Sequence, residues 1–185
     1  MKRYLKLTGG SFVGRRLYVP DTGVRPATNL VREAIFSTLL SFFEQGVQGL
    51  RVLDLFAGTG SLGLEAISRG AEMVTFVDQN IESVRSIRRN LEILKYEGQV
   101  VRSDVILFLR RHRGLHYNLV FIDPPYRYEK TATAVRELQK ALLKEGQVLL
   151  VHERSYSPEL PDFGENVQFH KRKRYGQTEI LYFTV

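Results

Sequence analysis

Residues 51–70 read RVLDLFAGTGSLGLEAISRG, and this stretch decides the fold. The run RVLDLF (residues 51–56) is short and apolar, as expected of a strand that is buried on both faces of a parallel sheet. Glycines in the segment AGTGSLG (residues 57–63) allow a tight turn, and the residues that follow predict a helix ending at Gly70. The stretch therefore predicts a strand, a glycine turn and a helix, which is the first half of a βαβ unit.

The same alternation recurs along the chain. Further short apolar runs predict strands at MVTFVD (73–78), QVVRSD (99–104), NLVFID (118–123) and QVLLVH (147–152). Amphipathic stretches at residues 80–95 and 131–146 predict the connecting helices, and the second of them is expected to end at Gly146. Strands that alternate with helices in this way predict a doubly wound, mostly parallel α/β sheet with right-handed crossovers.

The two ends of the chain depart from this alternation. Residues 166–176 and 177–185 predict two strands with a short link, and hence an antiparallel edge on the sheet. Residues 30–43 predict an amphipathic helix with Thr28 or Asn29 as its N-cap. Residues 3–20 predict a small hairpin. We therefore expect a basic hairpin extension over residues 1–24 and one compact domain over residues 25–185.

The composition narrows the functional classes. Hydrophobic residues make up 43% of the 185 residues and charged residues 25%, which is typical of a globular protein. The absence of cysteine excludes a disulfide framework, a thiolate metal site and a cysteine nucleophile. The basic start is not followed by the apolar segment of a secretory signal, and no apolar run approaches the ~20 residues that span a bilayer. We expect a soluble, cytoplasmic, monomeric protein without a metal.

The positive charge is concentrated at the start of the chain. The net charge is +7. Residues 1–32 contain one acid, Asp21, and seven basic residues: Lys2, Arg3, Lys6, Arg15, Arg16, Arg25 and Arg32. A basic segment of this kind fits a nucleic-acid backbone. A solvated basic surface explains the charge equally well, so charge alone leaves both interpretations open.

The glycine turn has the spacing of a nucleotide-binding loop. It contains G-x-G-x-x-G at Gly58, Gly60 and Gly63, and Asp78 lies near the end of the next strand. An acid about 20 residues after the turn is part of the dinucleotide fingerprint, so NAD is one candidate ligand. However, Asp54 precedes the turn and would repel a pyrophosphate, and a third acid, Asp104, ends the next predicted strand. These acids favour a nucleoside without phosphates, such as S-adenosylmethionine (SAM), whose methionine tail carries an ammonium group.

The tetrapeptide Asp123-Pro124-Pro125-Tyr126 follows the predicted strand NLVFID. In a sheet of this kind the turn should border the same crevice. The Asp123 carboxylate and the Pro124 carbonyl oxygen can accept both protons of an aromatic amine, whose lone pair would then point at a methyl donor. Tyr126 can stack on the base. This set of groups favours methyl transfer to the exocyclic amine of a nucleic-acid base, although a rigid surface turn is the alternative interpretation of the prolines.

Other polar residues have weaker signals. His112 and His116 are spaced like metal ligands, but a solvated basic helix end explains them better. His152 and Glu153 end a predicted strand and either line the crevice or have a structural role. The run KRKR (residues 171–174) either contacts phosphates or protects a sheet edge.

The motifs DLFAGTG, VD, SD and DPPY together resemble the signature of class I SAM-dependent amino-methyltransferases, which have a Rossmann-like sheet. The whole chain resembles the bacterial 16S ribosomal RNA (guanine-N2) methyltransferases of the D type, including GGSFVGRRL (residues 9–17), RPATNLVREAIF (25–36) and YGQTEI (175–180). The resemblance implies methylation of a guanine N2 amine in small-subunit ribosomal RNA. An adenine-N6 methyltransferase acting on DNA or RNA, and a non-catalytic RNA-binding assembly factor, are the alternatives.

The resemblance also implies roles for individual residues. Asp78 would bind the ribose hydroxyls, Asp104 and Val105 the adenine edge, and Asp54 with Phe56 and the Gly58 and Gly60 backbone the methionine tail. Ribosomal RNA near the pocket would contact Lys2, Arg3, Arg15, Arg16, Arg25 and Pro125. The family pattern R-P-T-T-D-R is not matched at Asn29 and Leu30, so no role is carried over to them.

Overall fold

The computed structural model describes residues 4–20, 28–125, 128–142 and 149–185. Its strands are β1 (Tyr4–Lys6), β2 (Arg16–Tyr18), β3 (Arg51–Leu55), β4 (Met73–Asp78), β5 (Gln99–Arg102), β6 (Leu119–Ile122), β7 (Leu149–Ser155), β8 (Gln168–Tyr175) and β9 (Thr178–Thr184). Its helices are α1 (Asn29–Leu39), α2 (Ser61–Ser68), α3 (Ile81–Leu94), α4 (Val105–Arg111) and α5 (Thr131–Ala141). The predicted strands and helices are present, although α1 ends at Leu39 rather than at residue 43, and α4 is an additional short crossover helix.

The central sheet has the order β5-β4-β3-β6-β7-β9-β8. Strands β3 to β7 pair in parallel, whereas β9 pairs antiparallel with both β7 and β8. The prediction of a mostly parallel sheet with an antiparallel edge is therefore confirmed. The chain leaves β3 toward β4 on one side and returns to β6 on the other, so the strand order reverses between β3 and β6. Ligands of such sheets bind outside the carboxyl ends of the strands at this reversal.

The two faces of the sheet are covered by different elements. Phe76 of β4 and Phe121 of β6 pack among α1, α2, α3 and the hairpin. Leu53 of β3 and Val120 of β6 point to the opposite face, against α4 and α5. Because successive strand side chains alternate between faces, runs that are apolar throughout are buried on both. In the described part of the chain, no helix is long and apolar enough to cross a membrane.

Two of the helix ends lie where the sequence predicts them, and a third does not. The Thr28 hydroxyl caps α1 by accepting the Val31 N–H, and Gly70 follows α2 with a φ of 93°. The prediction that the last helix ends at Gly146 is wrong, because α5 ends at Ala141 and Leu142 is already extended. Leu142 is nevertheless buried, so it joins the core although its backbone is no longer helical.

The predicted N-terminal hairpin is formed by β1 and β2, which pair antiparallel. It is docked on the domain, because Leu5 and Leu17 are buried in the same core as α1 and α2. Glu65 of α2 is fully buried and accepts hydrogen bonds from the Thr8 N–H at 3.0 Å and the Thr8 hydroxyl at 2.8 Å. The boundary predicted near residue 24 thus separates chain segments that share one core.

Candidate active site

Carboxylates from several strands meet at the edge of the sheet where the strand order reverses. Asp54 is the fourth residue of β3, Asp78 ends β4, Asp104 lies between β5 and α4, and Asp123 directly follows β6. The structure therefore brings the predicted acids to the same edge, as expected for neighbouring parallel strands.

The turn after β3 is built on tight backbone. Phe56 and Gly60 both have positive φ, 59° and 75°, and Gly60 is the N-cap of α2. A Cβ at Gly60 would lie 2.9 Å from the Ile87 side chain, and one at Gly63 would lie 2.2 Å from the buried Phe76 ring. A positive φ at a non-glycine residue such as Phe56 is strained, and such strain clusters at ligand-binding turns.

Asp54 lies beneath this turn. Its carboxylate is 2% exposed and accepts the Gly63 N–H at 2.9 Å. Burial raises the pKa of Asp54 to about 8, the Gly63 hydrogen bond lowers it, and the charge of Asp78 raises it further. A cation at the turn would favour the ionised form. The contact between Asp54 and a ligand ammonium group stays a prediction.

Asp78 holds the turn from the side. Its Oδ2 accepts the Gly58 N–H at 2.8 Å, and its Oδ1 accepts the Asn80 N–H at 2.7 Å. Each carboxylate oxygen has lone pairs for more than one donor, so hydroxyl groups of a ligand can still be accepted. This geometry fits the predicted contact with a ribose.

Asp104 and Val105 begin the α4 helix. Asp104 is exposed and caps α4 by accepting the Leu107 N–H at 2.9 Å, while the Val105 side chain is buried. The exposed acid and the buried apolar residue therefore lie side by side after β5. Asp104 could contact the edge of an adenine there, and Val105 could contact its face.

Tyr128 is a site residue that the sequence reasoning missed. Its ring packs edge-on against Phe56 with centroids 4.8 Å apart, and its N–H donates to the Pro125 carbonyl at 2.8 Å. Its hydroxyl is buried and has no hydrogen-bond partner among the described residues. Burial, and secondarily the charge of Asp104, raises its pKa. The tyrosine two residues after DPPY was the available signal. A buried polar atom without a partner fits a site completed by a polar ligand such as SAM.

A cavity of about 570 Å³ adjoins Asp123. Its lining residues are Asp123, Pro124, Pro125, Tyr128, Glu129, Thr131, Ala132, His152, Arg154, Ser155, Pro161, Asp162, Phe163 and Thr178. Asp123 and Pro124 are half-buried and Pro125 is exposed, whereas Tyr126 lies outside the described residues. The volume suits a single nucleotide or a molecule of similar size.

Comparison with known proteins identifies the family. The family described as "Conserved hypothetical protein 95" matches residues 5–184. The chain is 34% identical over 175 residues to the ribosomal RNA small subunit methyltransferase D of Escherichia coli, covering 94% of this chain and 86% of that protein. The solved structure of YhhF from Escherichia coli superposes with a TM-score of 0.87 at 31% identity, covering 98% of both chains.

The chain belongs to the small-subunit ribosomal RNA methyltransferase D family. The fold extends to more distant proteins: SMU.776, solved with S-adenosylhomocysteine (SAH), superposes with a TM-score of 0.69 at 18% identity over 95% of this chain and 55% of that one. The sheet is therefore that of class I SAM-dependent methyltransferases, as predicted.

The structure shows where the two hairpin arginines, Arg15 and Arg16, lie. Arg15 is exposed and donates to the Ile93 carbonyl at 3.2 Å, near the last residue of α3. Ile93 is roughly 18 Å along the helix from Ile81, which lies at the crevice end. Arg16 is exposed and lies over the Tyr4 ring at 5.9 Å. Arg15 therefore lies toward the end of α3 that is remote from the crevice, and its contact with RNA stays a prediction, while Lys2, Arg3 and Arg25 lie outside the described residues.

Arg32 does not belong to the basic surface. It is 1% exposed, donates to the Lys6 carbonyl and to Asn29 Oδ1, and lies 3.6 Å from the Glu65 carboxylate. Arg32 is therefore not available to a phosphate and is not part of a solvated surface, because it is buried beside an acid. Asn29 thus has a structural contact, whereas Leu30 is exposed.

The remaining polar candidates divide between structure and site. His112 ends α4 and its Nδ1 lies 2.8 Å from the Phe108 carbonyl, as expected of a helix end. Arg172 of the basic run pairs with the buried Glu179 at 3.3 Å and therefore has a structural role. Across the ranges that the structure describes, no three His, Asp or Glu side chains converge as metal ligands would. His152 does line the cavity beside Asp123.

Proposed function

We propose that this protein transfers the methyl group of SAM to the exocyclic N2 amine of a guanine in small-subunit (16S) ribosomal RNA. The observation that carries the proposal is the position of Asp123 and Pro124. They stand at the end of β6, between the acid-lined turn after β3 and a cavity of nucleotide size. Membership of the D family supports ribosomal RNA as the substrate.

The acid-lined side of the crevice is assigned to SAM. Asp78 would hold the ribose hydroxyls, Asp104 and Val105 the adenine, and the turn from Phe56 to Gly60 the methionine tail, with Asp54 beneath it. When bound, SAM supplies a methyl group on a positively charged sulfur. These residues offer carboxylates and backbone groups, and the glycine turn has no Lys or Arg side chain for a phosphate, which suits a nucleoside with a cationic tail.

Asp123 and Pro124 act on the base. The amine of a base is a weak nucleophile because its lone pair is delocalised into the ring. Two acceptors, the Asp123 carboxylate and the Pro124 carbonyl oxygen, would hold its two protons and leave the lone pair directed at the methyl carbon. The methyl group would pass from sulfur to the nitrogen lone pair, with the carbon–sulfur electrons left on sulfur, and the proton that the nitrogen gives up would go to the Asp123 carboxylate or to water.

Tyr126 is proposed to stack on the base after it leaves its helix, and Pro125 to contact the flanking RNA. The exposed Arg15 and Arg16 would bind phosphates at a distance from the reacting base, because Arg15 lies against the far end of α3 and Arg16 is its neighbour in the hairpin. The RNA footprint would then extend along the α3 face as well as over the crevice.

The test is methyl transfer from labelled SAM to small ribosomal subunits that lack the modification, followed by nucleoside analysis. N2-methylguanosine is the expected product. N6-methyladenine as the product would favour the adenine alternative, and binding without transfer would favour an assembly factor. Asp123→Ala should abolish transfer while leaving SAM affinity within a few-fold of wild type. Retained transfer would reject the role of this carboxylate.

A further inference from the structure

One buried group beside Asp123 is not used by the proposed methyl transfer. His152 is 3% exposed, lines the cavity, and is the β7 partner of Ile122, the residue immediately before Asp123. Its ring packs against Phe163 with centroids 5.9 Å apart. A polar side chain held in the wall of a base-sized cavity is a candidate for recognising the base.

The hydrogen bond of His152 determines which ring nitrogen is free to accept. Nδ1 lies 3.1 Å from the Ile122 carbonyl oxygen, which can only accept, so Nδ1 carries a proton. Burial is the main reason that the pKa of His152 is lowered to about 4; the Arg154 charge acts in the same direction, against the Ile122 hydrogen bond and the Glu179 charge. The ring is therefore neutral near pH 7, and its Nε2 is an acceptor.

The bases differ in what lies next to the exocyclic amine. In guanine the N2 amine is flanked by the ring N1–H, which is a donor. In adenine the N6 amine is flanked by N1, and in cytosine the N4 amine by N3, and both are acceptors. An acceptor placed beside the amine-binding groups therefore pairs with guanine and opposes a lone pair in the other two bases.

We propose that His152 is a specificity-determining residue, whose Nε2 accepts the N1–H of the guanine whose N2 amine is held by Asp123 and Pro124. This inference rests on the proposed function and names the group that selects the base. Neighbouring parallel strands lie about 4.8 Å apart, so His152 on β7 and Asp123 after β6 can contact adjacent positions of one base edge. The Ile122 hydrogen bond and the Phe163 ring keep the imidazole in place.

The test compares guanine with 2-aminopurine at the methylated position, in the smallest ribosomal RNA substrate that the wild-type protein accepts. 2-Aminopurine keeps the amine but lacks both the N1–H and the O6 carbonyl oxygen, so the change in the ratio between wild type and His152→Phe isolates the contribution of the N1–H. For the wild-type protein, kcat/KM should be about 10- to 100-fold lower for 2-aminopurine, because the buried acceptor is left unpaired. His152→Phe should lose activity on guanine and should discriminate less between the two bases. His152→Gln, which can present an amide oxygen, should restore part of the discrimination.

The control is His170→Phe, since His170 is an exposed histidine on β8 that contacts Thr184. It should leave the ratio of guanine to 2-aminopurine unchanged. SAM affinity and the melting temperature of His152→Phe show whether the variant is folded, and the ratio of kcat/KM values is independent of the folded fraction.

An unchanged ratio in His152→Phe overturns the role of His152 while leaving guanine-N2 methylation intact. A wild-type protein that methylates another base, or that does not transfer methyl groups to ribosomal RNA, overturns the proposed function and this inference with it. The two failures are therefore distinguishable.

Discussion

Replacing Glu65 by glutamine removes the buried negative charge that ties the hairpin to the domain. Glu65 is fully buried, accepts hydrogen bonds from Thr8, and pairs with Arg69 at 2.9 Å and with Arg32 at 3.6 Å. Arg32 is itself 1% exposed, so the substitution removes a negative charge from beside a buried cation.

The expected decrease in the free energy of unfolding is large for a substitution that leaves the shape of the side chain almost unchanged. Breaking a buried ion pair by removing one partner costs about 3–5 kcal/mol. In a domain of this size each kcal/mol lowers the melting temperature by about 2–4 °C, so the midpoint should fall by roughly 6–20 °C.

The assay is thermal and urea unfolding followed by far-ultraviolet circular dichroism. The matched control is Glu82→Gln, because Glu82 pairs with Arg85 on the surface, with side chains 48% and 68% exposed. An exposed pair of this kind is worth about 0–1 kcal/mol. If Glu65→Gln costs no more than Glu82→Gln, the buried network does not hold the hairpin and the reasoning is refuted.

Three further predictions concern the crevice and the basic surface. Burial raises the pKa of Asp54 to about 8 in the folded protein, so the stabilisation that its protonated form contributes is fully present below about pH 4 and is lost as the pH rises through 8. Asp54→Asn should therefore flatten the fall of the urea midpoint over this pH range. An unchanged dependence of the midpoint on pH would contradict this prediction. Tyr128→Phe should weaken SAM binding about 3- to 10-fold by calorimetry, because its buried hydroxyl lacks a partner among the described residues, and an unchanged Kd would exclude a cofactor contact. Replacing Arg15 and Arg16 by glutamine should lower the salt dependence of RNA binding by about one unit of slope per lost phosphate contact, whereas Arg136→Gln, at an exposed position of α5, should not; equal slopes in filter binding would remove the hairpin from the interface.

Local sequence determined the elements and the chemistry at the strand ends. The apolar runs that form β3, β4 and β6 are buried on both faces of the sheet. Whether a side chain is apolar depends only on its residue type, so these runs are visible in the sequence. The glycine turn and DPPY were placed at strand ends by the same local pattern. Parallel topology brings the carboxyl ends of the strands to one edge of the sheet. The sequence pattern alone therefore predicts that Asp54, Asp78, Asp104 and Asp123 lie along that edge.

Partners that are distant in the sequence were decided only by the tertiary structure. Arg32 was counted as a surface cation, and only packing against α2 showed it to be buried beside Glu65. Arg15 was expected near the pocket, and only the docking of the hairpin on α3 put it beside Ile93. Helix α5 also ends at Ala141, before the glycine signal, and Leu142 is extended and buried where it pairs with Leu115, a residue distant in the sequence.

The site divides in the same way. The sequence by itself indicated which residues are candidates for methyl-transfer chemistry, because Asp123, Pro124 and the glycine turn offer groups that their own residue types supply. The tertiary structure decided what surrounds them: the Tyr128 ring against Phe56, and His152 beside Ile122 with its proton on Nδ1. Burial and hydrogen-bond partners set the protonation of such groups, and both depend on strands and loops that meet only in the folded chain.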